Sequence, residues 1–345
     1  MPIWNKLVDT DVFTTKEAKL VGYRRQTSAI VTLALLVVVS QGCATRPERM
    51  SVGKFPEQLV YARTNDDIVD AGVIFTPPKD SAKPIAIIWI HGWGVNFYSP
   101  TYVAIGRALS ERGYTTICAN TRMHDIGNVE GYHGNKRIRG GGYWGIASDQ
   151  VRDVAAWIDF ADARGFQKVI LVGHSAGWAA VTQYQAEKQD PRLAGIIVAS
   201  GSIHPATPPT DPDQIAQATR MMDEGRPDDL VKDPKRSFPS FISAGTMLDM
   251  VNGPPEFKDF WGTQTETKDP GVTRIRCPLL AFFGTRGDLG GEAELELLKS
   301  SVRRQSSGPA RLDTVMIKGT DHMYQGEEVQ VAETIAKWAD SLLQR

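Results

Sequence analysis

The residues most suggestive of chemistry are 173–177, which read Gly-His-Ser-Ala-Gly with Ser175 at the centre of a G-x-S-x-G box. The apolar run before the box predicts a strand, and residues 176–188 have a helical pattern. A nucleophilic serine exposed on a tight turn requires this strand–turn–helix setting. We therefore predict that Ser175 is a nucleophile. The alternative is a glycine-rich turn that binds phosphate at a helix N-terminus, which the serine at the apex disfavours.

Two glycines flank the predicted nucleophile. Gly173 and Gly177 stand where a turn this tight leaves no room for a side chain, so they and the intervening His174 are expected to support the turn. The serine itself would then be held in a strained backbone conformation that exposes its hydroxyl.

A serine hydroxyl is a poor nucleophile unless a base takes its proton. His322 follows the last predicted strand, residues 314–317, and precedes the final predicted helix, residues 327–343. This chain position predicts that His322 is the base. Its neighbour Asp321 is not assigned as the orienting acid, because adjacent loop residues rarely face each other.

The orienting acid is expected after a strand that lies between the serine and the histidine in the chain. Asp288 fits, since it follows the predicted strand at residues 279–283. An aspartate favoured there only by local turn hydrogen bonding is the alternative explanation. Three other carboxylates remain open as the acid: Glu292, Asp211 and Asp213.

A tetrahedral intermediate needs backbone N–H donors aimed at its oxygen. Ala176, directly after the serine, is predicted to supply one. The loop after the predicted strand Ile85–Ile90 reads His-Gly-Trp-Gly, and Trp93 is predicted to supply the other. Gly92 allows a close backbone approach. His91 is expected to brace this loop by hydrogen bonding and to take no direct part in the chemistry.

Together these motifs resemble the α/β-hydrolase superfamily over about residues 55–343. The resemblance rests on residues 91–94, 173–177 and 319–322 together with Asp288. It implies an eight-stranded, mostly parallel sheet with helices on both faces, no cofactor, and attack on a carbonyl carbon.

Two shorter segments, residues 96–100 and residues 321–327, are similar to a subgroup that includes fungal siderophore-ester hydrolases. Residues 120–125 stand where many superfamily members carry an Arg-Gly-His-Gly run. This wall of the pocket is therefore expected to be particular to this chain.

Strand-like and helix-like segments alternate after residue 51, which predicts an α/β fold with a mostly parallel sheet. Residues 51–345 are expected to form one domain. A stretch at about residues 203–274, with helical patches and many prolines but no convincing strand, is predicted to be an inserted lid. The further predicted strands are 58–64, 71–76, 115–119 and 194–199, and the further predicted helices are 102–112 and 147–164.

The composition excludes several function classes. The chain is 41% hydrophobic and 23% charged, with a formal net charge of −1 and scattered basic residues, so no nucleic-acid partner is expected. The three cysteines, Cys43, Cys118 and Cys277, are too few for a disulfide framework, and no CxxC pair suggests zinc. Cys118 and Cys277 are expected in the core. The histidines show no HExxH spacing, so no metal is expected.

The first fifty residues differ from the rest and are predicted to be a leader and linker. An arginine pair precedes an apolar run at residues 29–39, which is too short to span a bilayer and has the length of a signal-peptide core. The following Gly42–Cys43 pair resembles the lipidation box of bacterial lipoproteins, although Ser40 stands where that box usually has leucine. We predict export and a lipid anchor on Cys43 in a bacterial cell envelope, which would be the only membrane contact. Plain secretion and a cytoplasmic location remain alternatives.

The expected function is hydrolysis of a small-molecule carboxylic ester through an acyl-enzyme, with a Ser–His–Asp triad. Acyl transfer to another alcohol and cleavage of an amide or thioester are the alternatives among enzymes. A surface-anchored binding protein on a hydrolase scaffold is the alternative from another class. Methionine and aromatic residues in the predicted lid suit an apolar or aromatic acyl group, and equally suit the lid's own core.

Overall fold

The computed structural model describes residues 53–133, 136–206, 211–232, 241–253 and 258–344. The predicted leader, with Cys43, lies outside these residues. Within the described residues, no helix combines the length and apolar character needed to cross a membrane.

The described residues form twelve strands and seven α-helices. The strands are β1 (Glu57–Arg63), β2 (Val69–Phe75), β3 (Ile85–Ile90), β4 (Thr116–Ala119), β5 (Asn128–His133), β6 (Lys136–Gly140), β7 (Lys168–His174), β8 (Leu193–Ala199), β9 (Leu230–Lys232), β10 (Phe241–Ser243), β11 (Leu279–Gly284) and β12 (Leu312–Ile317). The helices are α1 (Pro100–Glu111), α2 (Gln150–Asp162), α3 (Gly177–Lys188), α4 (Pro212–Asp223), α5 (Ala244–Asn252), α6 (Glu292–Arg304) and α7 (Glu328–Leu343).

The central sheet has eight strands in the order β1-β2-β4-β3-β7-β8-β11-β12. The pairings of β1 with β2 and of β2 with β4 are antiparallel, and those from β4 through to β12 are parallel. This confirms the predicted eight-stranded, mostly parallel sheet. Because the carboxyl ends of parallel strands share one edge, the loops after β3, β4, β7, β8, β11 and β12 all meet there.

Helices cover both faces of the sheet, as predicted, because the residues of each buried strand point alternately to opposite sides. All six residues of β3 are buried. Its alternate residues Ile85, Ile87 and Trp89 pack with α1 and α7, and the intervening Ala86, Ile88 and Ile90 pack with α2 and α3. Cys118 and Cys277 are buried without a disulfide, as predicted.

Two insertions interrupt the alternation of strands and helices. The antiparallel hairpin β5–β6 lies between β4 and α2, and the insertion between β8 and β11 contains α4, α5 and the short antiparallel pair β9–β10. The expectation that this second insertion lacks strands is wrong. Each of its strands has only three residues, too few for an alternating pattern to be visible in the sequence. Its Met247, Phe260 and Trp261 are buried, so they contribute to packing.

Candidate active site

The turn between β7 and α3 places Ser175 at its apex with a φ of 50°, a left-handed conformation that is rare for residues other than glycine. Both flanking glycines are in close contact with backbone. A Cβ on Gly173 would lie 2.5 Å from the carbonyl oxygen of Gly177, and a Cβ on Gly177 would lie 2.4 Å from that of His91. The tight turn therefore depends on both glycines, and it presents Ser175 at the edge of the sheet with its side chain partly exposed.

Three side chains from three loops form an unbroken series of hydrogen bonds. The Oγ of Ser175 is 3.1 Å from Nε2 of His322, and Nδ1 of His322 is 2.9 Å from Oδ1 of Asp288. The carboxylate can only accept, so Nδ1 carries the proton and Nε2 is left to accept from the serine hydroxyl. In this tautomer His322 can remove the serine proton.

The Asp288 side chain is fully buried and has four hydrogen-bond donors. Besides His322, the N–H of Leu289 donates to Oδ1 at 2.7 Å, while the N–H of Gly284 at 2.7 Å and the hydroxyl of Ser200 at 2.5 Å donate to Oδ2. Burial opposes ionisation of this carboxyl, but the donors outweigh it and lower its pKa below the ordinary value. Asp288 therefore stays ionised beside the imidazole.

The three rival carboxylates have other structural positions. Glu292 is the first residue of α6. Asp211 is the N-cap of α4, where its carboxylate accepts from the N–H of Asp213 at 3.0 Å. Of the four candidate acids, Asp288 is therefore the one whose carboxylate is hydrogen-bonded to His322.

The predicted oxyanion residues lie beside the serine. A Cβ on Gly92 would be 2.9 Å from Cβ of Ser175, so the loop after β3 passes in van der Waals contact with the nucleophile. The indole Nε1–H of Trp93 donates to the carbonyl of Gly142 at 3.1 Å, which fixes the ring against the base of the β5–β6 hairpin. Ala176 immediately precedes the N-terminus of α3, where the helix dipole favours negative charge.

His91 connects this loop to the loop after β4. Its Nε2 accepts from the N–H of Thr121 at 3.1 Å, so its Nδ1–H donates to the carbonyl of Gly92 at 2.7 Å. Burial lowers the pKa of His91 to about 4, which keeps the ring neutral. These contacts are those of a loop brace.

His174 joins the nucleophile turn to both neighbouring loops. Its Nε2–H donates to the carbonyl of His322 at 2.8 Å, and its Nδ1 accepts from the hydroxyl of Tyr102 at 2.7 Å. The Tyr102 oxygen in turn accepts from the N–H of Gly92 at 3.3 Å. Burial lowers the pKa of His174 to about 3. Tyr102 and Ser200 were not predicted from the sequence, since each acts through one hydroxyl with no motif around it.

The loop after β4 is held by a buried ion network. Arg122 donates to Asp153 at 2.8 Å and to Asp66 at 2.9 Å. The side-chain oxygen of Asn120 accepts from the N–H of Phe97 at 2.8 Å, which ties this loop to the one carrying Trp93. The loop after β4 is therefore hydrogen-bonded to the predicted oxyanion loop.

Among the residues that the structure describes, no group of three or more His, Cys, Asp or Glu side chains is placed to hold a metal ion.

Comparison with known protein families identifies one family that matches this chain. The chain matches the model of the alpha/beta hydrolase family over residues 87–334. No match was found among curated proteins.

Three solved structures illustrate the structural likeness. Est1E from Butyrivibrio proteoclasticus with ferulic acid bound has a TM-score of 0.55 and 16% identity, covering 83% of this chain and 100% of that chain. The esterase domain of a Rhodothermus marinus protein has a TM-score of 0.51 and 17% identity, covering 82% and 98%. DcsB in complex with its substrate analogue has a TM-score of 0.59 and 14% identity, covering 83% and 99%. At these identities the likeness is one of fold. The narrower resemblance to siderophore-ester hydrolases stays a prediction.

Proposed function

Because the chain belongs to the alpha/beta hydrolase family, we propose that it hydrolyses a carboxylic ester of a small molecule through an acyl-enzyme. The observation that carries this proposal is the unbroken hydrogen-bonded series from Ser175 through His322 to Asp288. A binding protein would have no need of a base held in the tautomer that accepts the serine proton.

In the first half-reaction, Ser175 Oγ attacks the ester carbonyl carbon while its proton passes to Nε2 of His322. The buried Asp288 carboxylate stabilises the imidazolium that forms. The carbonyl oxygen becomes an oxyanion and accepts from the N–H groups of Trp93 and Ala176. Collapse of this intermediate breaks the carbon–oxygen bond to the leaving alkoxide, which takes the proton from His322 and departs as the alcohol.

In the second half-reaction, water attacks the acyl-enzyme and gives one proton to His322. The second tetrahedral intermediate collapses, Ser175 recovers the proton, and the carboxylic acid leaves. A competing alcohol in place of water would give acyl transfer, and an amide or thioester would follow the same steps with another leaving group.

Two partly exposed tryptophans flank the nucleophile turn. Trp93 adjoins Gly92 and has its ring 6.0 Å from that of Tyr143. The backbone N–H of Trp178 donates to the carbonyl of Ser175 at 3.1 Å, and its indole packs against Phe260 and Trp261. Aromatic side chains suit a flat or apolar acyl group. Hydroxycinnamate esters are included among the test substrates because ferulic acid is bound in Est1E.

The test compares wild type, Ser175→Ala and Ser202→Ala with p-nitrophenyl esters of increasing chain length and with methyl hydroxycinnamates. We expect Ser175→Ala to lower kcat by at least about 10³-fold with an unchanged circular dichroism spectrum. Ser202, which bonds to the carbonyl of His204, serves as the matched control and should retain activity. A fluorophosphonate probe should label wild type and not Ser175→Ala. Near-normal turnover by Ser175→Ala would refute the proposal.

We also propose that the protein is exported and anchored through a lipid on Cys43. The support is the short apolar run that ends at the Gly42–Cys43 pair.

A further inference from the structure

The oxygen of Asp288 that faces away from His322 is held by two hydroxyl groups in series. The hydroxyl of Tyr324 donates to Oγ of Ser200 at 2.6 Å, and Ser200 donates to Oδ2 of Asp288 at 2.5 Å. The direction of both hydrogen bonds is fixed. The carboxylate can only accept, so the one hydroxyl proton of Ser200 goes to Asp288 and Ser200 Oγ accepts the proton of Tyr324.

This series connects separate parts of the chain. The other donors to Asp288 besides His322 are the N–H groups of Gly284 and Leu289, which belong to the same turn as the carboxylate and move with it. Ser200, in contrast, directly follows β8, and its N–H donates to the carbonyl of Phe282 at 2.9 Å. Ser200 therefore anchors the acid to a neighbouring strand.

Tyr324 adds an anchor from the loop that carries the base. It lies two residues after His322 and is fully buried. Its ring centroid is 5.1 Å from that of His174 and 5.9 Å from that of Phe282. The hydroxyl series thus joins the base loop, the end of β8 and the acid turn within the core, out of reach of water.

Both residues have backbone conformations that side chains rarely adopt. The φ of Ser200 is 52° and the φ of Tyr324 is 58°, both in the left-handed region where glycine is favoured. Such conformations persist where the surrounding structure holds them, and they cluster at functional sites. A glycine would satisfy the backbone at either place, but it would bring no hydroxyl to Asp288.

We propose that Ser200 and Tyr324 are positioning residues that orient the acid. They hold Oδ2 of Asp288 so that Oδ1 stays directed at Nδ1 of His322 while the imidazole gains and loses its proton. This inference rests on the proposed function, since it assigns a role within that triad.

The variant Ser200→Gly tests whether the Ser200 hydroxyl affects kcat independently of its effect on the stability of the fold. Glycine relieves the strain of a φ of 52°, which offsets part of the cost of leaving the buried Tyr324 hydroxyl without its acceptor, so we expect the variant to stay folded at the assay temperature. Because a charge-assisted hydrogen bond to the acid is lost, kcat should fall between about tenfold and a hundredfold at unchanged KM, within the roughly 10⁴-fold expected for loss of a triad aspartate.

Tyr324→Phe removes only the outer hydroxyl and should lower kcat less than Ser200→Gly does. In the double variant Ser200→Gly/Tyr324→Phe, the second change should add little to the first, because the tyrosine acts through the serine. Two matched controls lie outside the three loops that carry the triad. Gln189→Gly changes an exposed residue with a φ of 47°, and Tyr114→Phe removes a buried hydroxyl bonded to Asp340. Both should keep the wild-type kcat.

The outcomes distinguish this inference from the proposed function. If Ser175→Ala abolishes activity while Ser200→Gly and Tyr324→Phe keep the wild-type kcat, the positioning role is refuted and the triad stands. A kcat loss in Ser200→Gly that matches a loss of folded protein at the assay temperature, or full additivity in the double variant, also refutes it. If wild type hydrolyses no ester, or Ser175→Ala remains active, the proposed function itself fails.

Discussion

Mild acid should destabilise this protein, because His91 and His174 are both buried in neutral form. Burial lowers the pKa of His91 to about 4 and that of His174 to about 3, from an ordinary value of 6.5. Between these values the unfolded chain binds protons that the folded chain excludes. Stability is therefore fully present above pH 6.5 and falls as the pH drops below it.

The magnitude follows from the difference between the folded and unfolded pKa values. At pH 5 the solution is about 1.5 pH units below the pKa of an imidazole in the unfolded chain, so each of these imidazoles binds a proton there. The resulting loss in the free energy of unfolding is about 2 kcal/mol per histidine and about 4 kcal/mol for the two. With an unfolding entropy of about 2.1 cal/mol/K per residue, the two histidines should lower the melting temperature of a domain of this size by roughly 6 °C between pH 7 and pH 5. Carboxylates with lowered pKa values contribute little there, since they remain ionised in both states. Burial raises the pKa of Asp153, so proton uptake by this carboxyl in the folded chain offsets part of the loss.

The assay is thermal unfolding followed by circular dichroism at pH 7, 6 and 5 and constant ionic strength. His174→Gln should flatten the pH dependence by about half whatever its stability at pH 7, because one linked proton is removed. His204→Gln is the matched control, since its side chain is 60% exposed. A wild-type shift below about 2 °C, or equal slopes in wild type and His174→Gln, would refute the reasoning.

Three further predictions concern the site and the anchor. Asp288→Asn should lower kcat by about 10⁴-fold and leave the fold intact, and a drop within about tenfold would contradict the assignment. The rivals are measured alongside as Glu292→Gln, Asp211→Asn and Asp213→Asn, each expected to stay within about tenfold. Gly142→Ala should lower kcat by at least about tenfold by displacing the predicted oxyanion donor, since the new Cβ would lie 2.6 Å from the Trp93 ring. Gly308→Ala is the control, because its new Cβ would make only ordinary van der Waals contacts at 3.8 Å. Equal kcat values in the two variants would disprove this effect. In a bacterial host, the wild-type protein should fractionate with membranes and Cys43→Ser should carry no lipid. An intact-mass measurement showing that the mature protein still begins at Met1 would exclude the anchor.

The sequence determined the architecture because its signals are local. Continuous apolar runs such as Ile85–Ile90 identify strands buried on both faces, and the helical spacing before Gly113 and Gly165 identifies the covering helices. Gly173 likewise predicts the tight turn, since its close contact is with Gly177 only four positions on, whereas the contact of Gly177 with His91 is set by the tertiary structure. The insertion between β8 and β11 was less predictable, because its strands of three residues leave no period to detect.

Only the tertiary structure decided which side chains meet. Ser175 and His322 are 147 positions apart, and Asp288 is 34 positions from His322, so no local pattern fixes their distances. The sequence left four carboxylates open, and the packing of the loops at the carboxyl edge of the sheet brings Asp288 to the imidazole. The same packing gives Ser200 and Tyr324 their contacts: a single hydroxyl carries no sequence signal, and its partner is set by how separate loops fold against one another.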